Sequence, residues 1–141
     1  TGAALDETSL SAARLAMRQR KDLDGVTLIN ATPKYLLVGP ELETKAEKLL
    51  TAINAATTDD ANVFAGKLSL AVEPRIVGDE WYVFADPARL PGIQYAYLSG
   101  AQGPQIQRQE LWDTLGVSFR VFEDFGAGWV DHRAAQKNPG A

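Results

Sequence analysis

The chain has 141 residues, 45% of them hydrophobic, which suffices for a single domain whose core needs no metal or disulfide staples. Its 14 Lys and Arg against 18 Asp and Glu leave a formal charge of −4, a balance that argues against a protein coating DNA or RNA. With no cysteine and the single histidine His132, disulfide frameworks, thiolate zinc sites, iron–sulfur clusters, cysteine nucleophiles and multi-histidine metal sites are excluded, and no apolar run approaches the ~18 residues of a membrane span.

Thr8 or Ser9 is placed to cap a first helix over residues 9–21, where Leu10, Ala13 and Met17 recur at helical spacing. Arg14, Arg18 and Lys21 run beside that stripe toward the end where the helix dipole favours positive charge, and read as a solvated face. Leu23-Asp24-Gly25 makes a turn, and residues 26–30 and 35–38 read as short strands separated by Thr32-Pro33. Gly39-Pro40 opens a second helix, with Glu41 and Glu43 in a first turn that prefers negative charge and Leu42, Ala46, Leu49, Leu50 and Ile53 forming a core-facing stripe. Residues 57–62 are rich in turn formers and form a surface loop.

From Lys67 the period changes to two, with Leu68, Leu70 and Val72 on one side of a strand that Pro74 ends. Residues 81–85 form an aromatic and β-branched strand expected to be covered on both faces, closed by Asp86-Pro87. Ile93, Tyr95 and Tyr97 alternate with Gln94, Ala96 and Leu98, a loop follows over residues 99–104, and residues 105–109 extend again, as in a meander. Residues 116–123 give a strand that 125–130 continues through a glycine-softened bend, with Phe119, Val121, Phe125 and Trp129 expected to close the sheet from within the core, the alternative for Trp129 being an exposed ring whose cover is an N-terminal part of a longer subunit. Residues 137–141 read as a polar tail. Helices early and strands late, without βαβ alternation, predict an α+β fold: one domain with a mostly antiparallel sheet and two main helices.

Chemistry is not visible in the sequence. Gly126-Ala127-Gly128 lacks the third glycine and the following helix of a dinucleotide site, and neither a phosphate-binding loop nor a nucleophile elbow occurs. Asp131 and His132 are adjacent, so on a strand they point to opposite faces and do not make a triad. The acidic pairs Asp59-Asp60 and Glu123-Asp124 lack the spaced oxygens of a calcium loop, and the aromatics Trp81, Tyr82, Tyr95, Tyr97 and Trp129 suit a core or a subunit interface. No catalytic, cofactor or metal residue is assigned.

An ordered series of segments nevertheless stands out: Leu23-Asp24-Gly25-Val26, Thr32-Pro33-Lys34-Tyr35-Leu36-Leu37-Val38, Pro40-Glu41-Leu42-Glu43, Val72-Glu73-Pro74-Arg75 and Trp81-Tyr82-Val83-Phe84-Ala85-Asp86-Pro87. It continues through Gly92-Ile93-Gln94-Tyr95-Ala96-Tyr97-Leu98, Gly103-Pro104, Gly116-Val117-Ser118-Phe119-Arg120-Val121, Asp124-Phe125-Gly126-Ala127-Gly128-Trp129-Val130-Asp131 and Lys137-Asn138-Pro139-Gly140. In that order the segments resemble the C-terminal part of tailed-bacteriophage and prophage major capsid proteins, especially those made fused behind a head-maturation protease. His132 and Ala134 stand where that family has an aromatic and a glycine, and Glu110-Leu111-Trp112 departs from its usual turn.

The resemblance implies the Hong Kong 97-type fold, with an axial domain and a strand returning to the periphery, and a structural head protein with no enzyme activity and no cofactor. It further implies self-assembly through pentamers and hexamers in the bacterial host cytoplasm into a virion capsid around packaged DNA. Portal, scaffold or a fused protease are the implied partners, with no sequence-specific nucleic acid and no membrane. The chain, beginning Thr1-Gly2, is expected to be a C-terminal fragment of a longer subunit. Asp59, Asp60, Asn62, Gly100, Gln102 and Trp129 are the expected subunit contacts. Two rival readings remain open at this level: a phage decoration or tail protein, and a small-molecule-binding domain using Trp81, Tyr95 and Asp131 in a pocket.

Overall fold

The computed structural model describes residues 2–51 and 67–141. Helix α1 (Glu7–Arg18) starts two residues earlier than the spacing predicts because Asp6, not Thr8 or Ser9, is its cap. Asp6 Oδ1 accepts the Ser9 N–H at 2.7 Å while Ser9 Oγ accepts the Asp6 N–H at 3.0 Å, so two backbone donors at the helix start are satisfied reciprocally. Leu10, Ala13 and Met17 are buried as their spacing requires. The strand expected at residues 26–30 is replaced by a single bridge between Lys21 and Leu28. Asp24 is the reason: its carboxylate accepts the N–H groups of Val26 and Thr27 at 2.8 and 2.9 Å, and this side-chain-bonded turn takes donors a ladder would need.

Four strands make the central sheet: β1 (Pro33–Val38), β2 (Ser69–Val72), β3 (Trp81–Ala85) and β8 (Ala135–Asn138), ordered β2-β1-β3-β8. The β1–β2 pair is parallel and the other two are antiparallel. Between β1 and β2, a 3-10 turn at Pro40–Leu42 leads into α2 (Glu43–Leu50), with proline at the first helical position as the sequence indicates. Ile53 and the loop at residues 57–62 lie outside the described residues. Register places Leu36 opposite Val83 and Leu70, and Val38 opposite Trp81 and Val72, so one face of the sheet carries the large apolar side chains. With Leu10, Met17, Leu42 and Ala46 from the helices they form the core. Strand β3 is fully covered on that face only; Tyr82 and Phe84 on the other are half-buried, which corrects the expectation of cover on both sides.

Residues 135–138 are strand rather than polar tail. Their side chains gave no period-two signal because β8 is an edge strand held by its backbone and by Arg20, whose Nη1 donates to the carbonyls of Arg133 and Ala135, both at 2.6 Å, and whose Nη2 donates to the Gln136 side chain. The first residues lie against this edge: Trp81 Nε1 donates to the Ala3 carbonyl at 3.1 Å, and Asn138 Oδ1 accepts the Ala3 N–H at 2.9 Å. A Cβ at Gly2 would collide with the Gly140 carbonyl, so glycine is required at that crossing.

The described residues gather into two compact units, the second being Ile93–Val130. It contains β4 (Ile93–Tyr97), β5 (Gln105–Glu110), β6 (Val117–Phe122) and β7 (Phe125–Trp129). These do not form a meander. β5 and β6 make a hairpin nested inside the antiparallel pair β4–β7, so residues 125–129 form a strand of their own and do not prolong β6. Each ribbon has only two strands and therefore no interior. Phe119, Val121, Phe125 and Trp129, expected in the core, are exposed for that reason. Among the described residues the fold is α+β, with two α-helices and small, mostly antiparallel sheets.

Candidate assembly surface

The polar clusters of the first unit are occupied with holding the chain together. Both carboxylate oxygens of Asp131 accept from Arg133, Oδ1 from Nε at 2.9 Å and Oδ2 from Nη2 at 2.7 Å, and Oδ1 also accepts the Arg133 N–H at 2.8 Å. Arg133 Nη1 continues to Asp22 at 2.6 Å. The guanidinium hydrogen bonds hold the Asp131 carboxyl at about 2 and push Arg133 further up. Asp131 is thus an anchor at the point where the chain re-enters the first unit, and its N–H faces the Gly92 carbonyl at 3.4 Å, beside the point where the chain leaves it. His132 is exposed next to it and shares no hydrogen bond with Asp131.

These facts dismantle the pocket reading. Trp81 has no exposed surface, and the Asp131 carboxylate is already saturated by Arg133. A cavity of about 160 Å³ lined by residues including Asn30, Asp86 and Arg89 is below the ~300 Å³ at which ligand pockets begin. The depression of about 300 Å³ on the β5–β6 ribbon is lined by Gln107, Arg108, Gln109, Ser118 and Arg120, polar side chains without an apolar floor. Among the described residues no three His, Asp or Glu side chains converge as metal ligands. Nor, among them, is any helix long and apolar enough to cross a membrane.

The second unit offers a surface instead of a cavity. Across β4–β7, Ile93 faces Trp129, Tyr95 faces Ala127 and Tyr97 faces Phe125, so five large side chains share one face. Tyr95 meets Tyr97 edge-on with ring centres 5.8 Å apart, and Tyr97 meets Phe125 at 6.4 Å. The opposite face carries only Gln94, Ala96, Gly126 and Gly128, and a Cβ at either glycine would meet nothing within 4 Å. Neither strand contains a charged residue. In β5–β6, register puts Ile106, Val117, Phe119 and Val121 on one face with Arg108 and Glu110, while Gln105, Gln107, Gln109, Ser118 and Arg120 share the other with Phe122.

Of the expected contact residues, Trp129 lies on the aromatic face and Gly100 and Gln102 lie in the exposed loop between β4 and β5, where Gly100 has φ 86. Asp59, Asp60 and Asn62 lie outside the described residues. The alternation in the sequence put Ile93, Tyr95 and Tyr97 on one face and left Tyr95 and Tyr97 to a core or a subunit interface, but it did not join them with Phe125 on one open face. The available signal was Gly126 and Gly128 at alternate positions of β7, which strip the other face bare, together with the glutamine-rich alternation of β5.

The described residues confine their core to one unit and display an uncharged, exposed aromatic ribbon in the other, a surface of the kind that marks an interaction site rather than a catalytic one. The family model for Phage capsid protein matches residues 1–138, and the chain belongs to that family: it is a non-enzymatic structural protein of the virion capsid, and capsid proteins self-assemble. No curated protein and no solved structure matches it.

Proposed function

We propose that this chain is the C-terminal part of a Hong Kong 97-type major head subunit of a tailed phage or prophage, of the kind made fused behind a head-maturation protease. The observation that carries the reading is the family match over residues 1–138, and the ordered segments from Leu23 to Gly140 support the finer assignment. In this reading the sheet β2-β1-β3-β8 with its two helices is the axial domain, β8 is the returning strand, and the subunits form pentamers and hexamers in the host cytoplasm around packaged DNA. The net charge of −4 suits a shell that does not adhere to its cargo. Asp59, Asp60 and Asn62, with Gly100 and Gln102 of the loop at residues 99–104 and with Trp129, supply contacts between subunits.

The test is expression of the whole reading frame, pelleting and electron microscopy. Closed shells with five- and six-fold capsomers are expected; open tubes, or a protein that only decorates a separately formed shell, would overturn the assignment. Asp59→Lys with Asp60→Lys is expected to leave the subunit folded and reduce capsomer formation, and an undiminished head yield would remove those residues from the contact.

A further inference from the structure

We propose that the aromatic face of the β4–β7 ribbon, formed by Ile93, Tyr95, Tyr97, Phe125 and Trp129, is a docking surface covered by a second copy of this chain in the assembled shell. The proposal rests on the capsid-subunit reading and names the partner of its most exposed surface.

Three observations identify the occupant. The first is area. Aromatic side chains bury ~150–250 Å² each when covered, so the four aromatics of this face, roughly half open, present about 400–500 Å². That is at the upper end of the ~300–600 Å² of the largest patch on an ordinary monomer. The apolar face of β5–β6 belongs to a separate ribbon and carries Arg108 and Glu110, so β4–β7 alone supplies about half of the ~800 Å² that each partner contributes to a standard protein interface.

The second is charge. β4 and β7 contain no charged residue, so protein cover removes no ion from water, and the face holds no cation for a nucleic-acid phosphate or an anionic lipid surface. Packaged DNA is therefore a poor occupant, and the abundant protein neighbour of a capsid subunit is another capsid subunit.

The third is the state of the ribbon itself. A two-stranded ribbon is marginal in water, an arrangement that persists in a functional protein when its covered form is the working one. The two faces of β4–β7 differ completely, one aromatic and one glycine and alanine, so copies need not meet through identical patches. A contact between unlike surfaces is the kind that closes rings.

The experiment uses heads and dissociated subunits made from the whole reading frame. Tyr95→Ser with Phe125→Ser removes two exposed rings, so the subunit's melting curve should be unchanged while the yield of heads falls roughly tenfold or more, as expected for aromatic anchors at an interface. Heads in wild-type yield from this variant would overturn the proposal. So would a collapsed subunit melt, which would show that the subunit covers the face with its own chain. A non-disruptive second readout uses Trp129 as reporter: the emission difference between Trp112→Phe and Trp112→Phe/Trp129→Phe should shift to the blue on assembly. An unshifted difference spectrum would show that the face stays wet in the shell and would overturn the docking. Failure of the wild-type protein to form any particle would instead count against the capsid-subunit reading, so the two failures are distinguishable.

Discussion

The two units use the same kind of residue to opposite ends. Among the described residues, all 13 buried apolar residues lie in the first unit, whereas 15 of the 20 exposed large apolar ones lie in residues 93–130. Trp81 and Trp129 make the contrast concrete. Both sit at an end of an antiparallel strand, yet Trp81 is 0% exposed within the core and Trp129 is 57% exposed on a ribbon. Period-two alternation establishes that a segment is a strand with two unlike faces; it does not establish that anything covers the apolar one. In a protein made to assemble, that cover can come from elsewhere.

The sharpest way to test this contrast is to truncate each tryptophan. Trp81→Ala should cost about 3–5 kcal/mol, enough to unfold much of a domain whose whole stability is ~5–15 kcal/mol, whereas Trp129→Ala, at a ring more than half open, should cost the dissociated subunit clearly less. Equal losses by calorimetry would erase the distinction between core and open face.

A smaller effect is expected from Asp131→Asn, which weakens the anchor where the chain re-enters the first unit. Because the fold holds this carboxyl at about 2 against its ordinary 3.8, its contribution is whole above about pH 4 and disappears as the pH falls through about 2. Melting temperatures of wild type and variant should therefore differ at neutral pH and converge at the acid end; a gap independent of pH would mean that Asp131 acts through packing rather than charge.

Smaller still should be the consequence of removing the second unit. Gly92 and Asp131 are already hydrogen-bonded, so replacing residues 93–130 with a two-residue turn should leave the first unit melting cooperatively near the wild-type temperature while abolishing heads. Loss of cooperative melting would show that the first unit depends on the arm.

The least effect is expected from Gly126→Val with Gly128→Val. Neither glycine has a positive φ, each new Cβ enters open space, and valine favours strands, so subunit stability should stay within about 0.5 kcal/mol. A larger loss in chemical denaturation would show that the bare face is packed in the subunit.

The elements legible in the sequence were those whose side chains report their own environment. The α1 stripe of Leu10, Ala13 and Met17, the proline-led start of the second helix and the alternation of Leu68, Leu70 and Val72 each follow from a face that must be buried. What escaped was set by partners that a segment's own alternation does not report. Asp24 turned an expected strand into a turn by taking its backbone donors. Arg20 and the backbone of β3 recruited Ala135–Asn138, whose own side chains carry no strand signal. The nesting of β5–β6 within β4–β7 was invisible because alternation in each strand is the same whether its partner lies next in sequence or beyond a hairpin. The family resemblance, carried by many short segments in order, reached the capsid identity that no single motif or site could have supplied.

The lateness of β8 has a kinetic consequence. Trp81 cannot pair with Asn138, nor can the Ala3 amide bond the Asn138 side chain, until the whole of residues 93–130 has been made, and contacts at such separation close slowly because chain entropy must be lost before they form. At synthesis rates of ~5–20 residues per second, the aromatic ribbon is complete roughly a second before the strand that finishes the central sheet. Newly made chains therefore pass through an interval in which the apolar residues of 93–130 have been made and the central sheet cannot yet close. In that interval collisions between nascent chains favour aggregates, so slowing initiation, which spaces the ribosomes on a message, should raise the share of chains that reach the folded state.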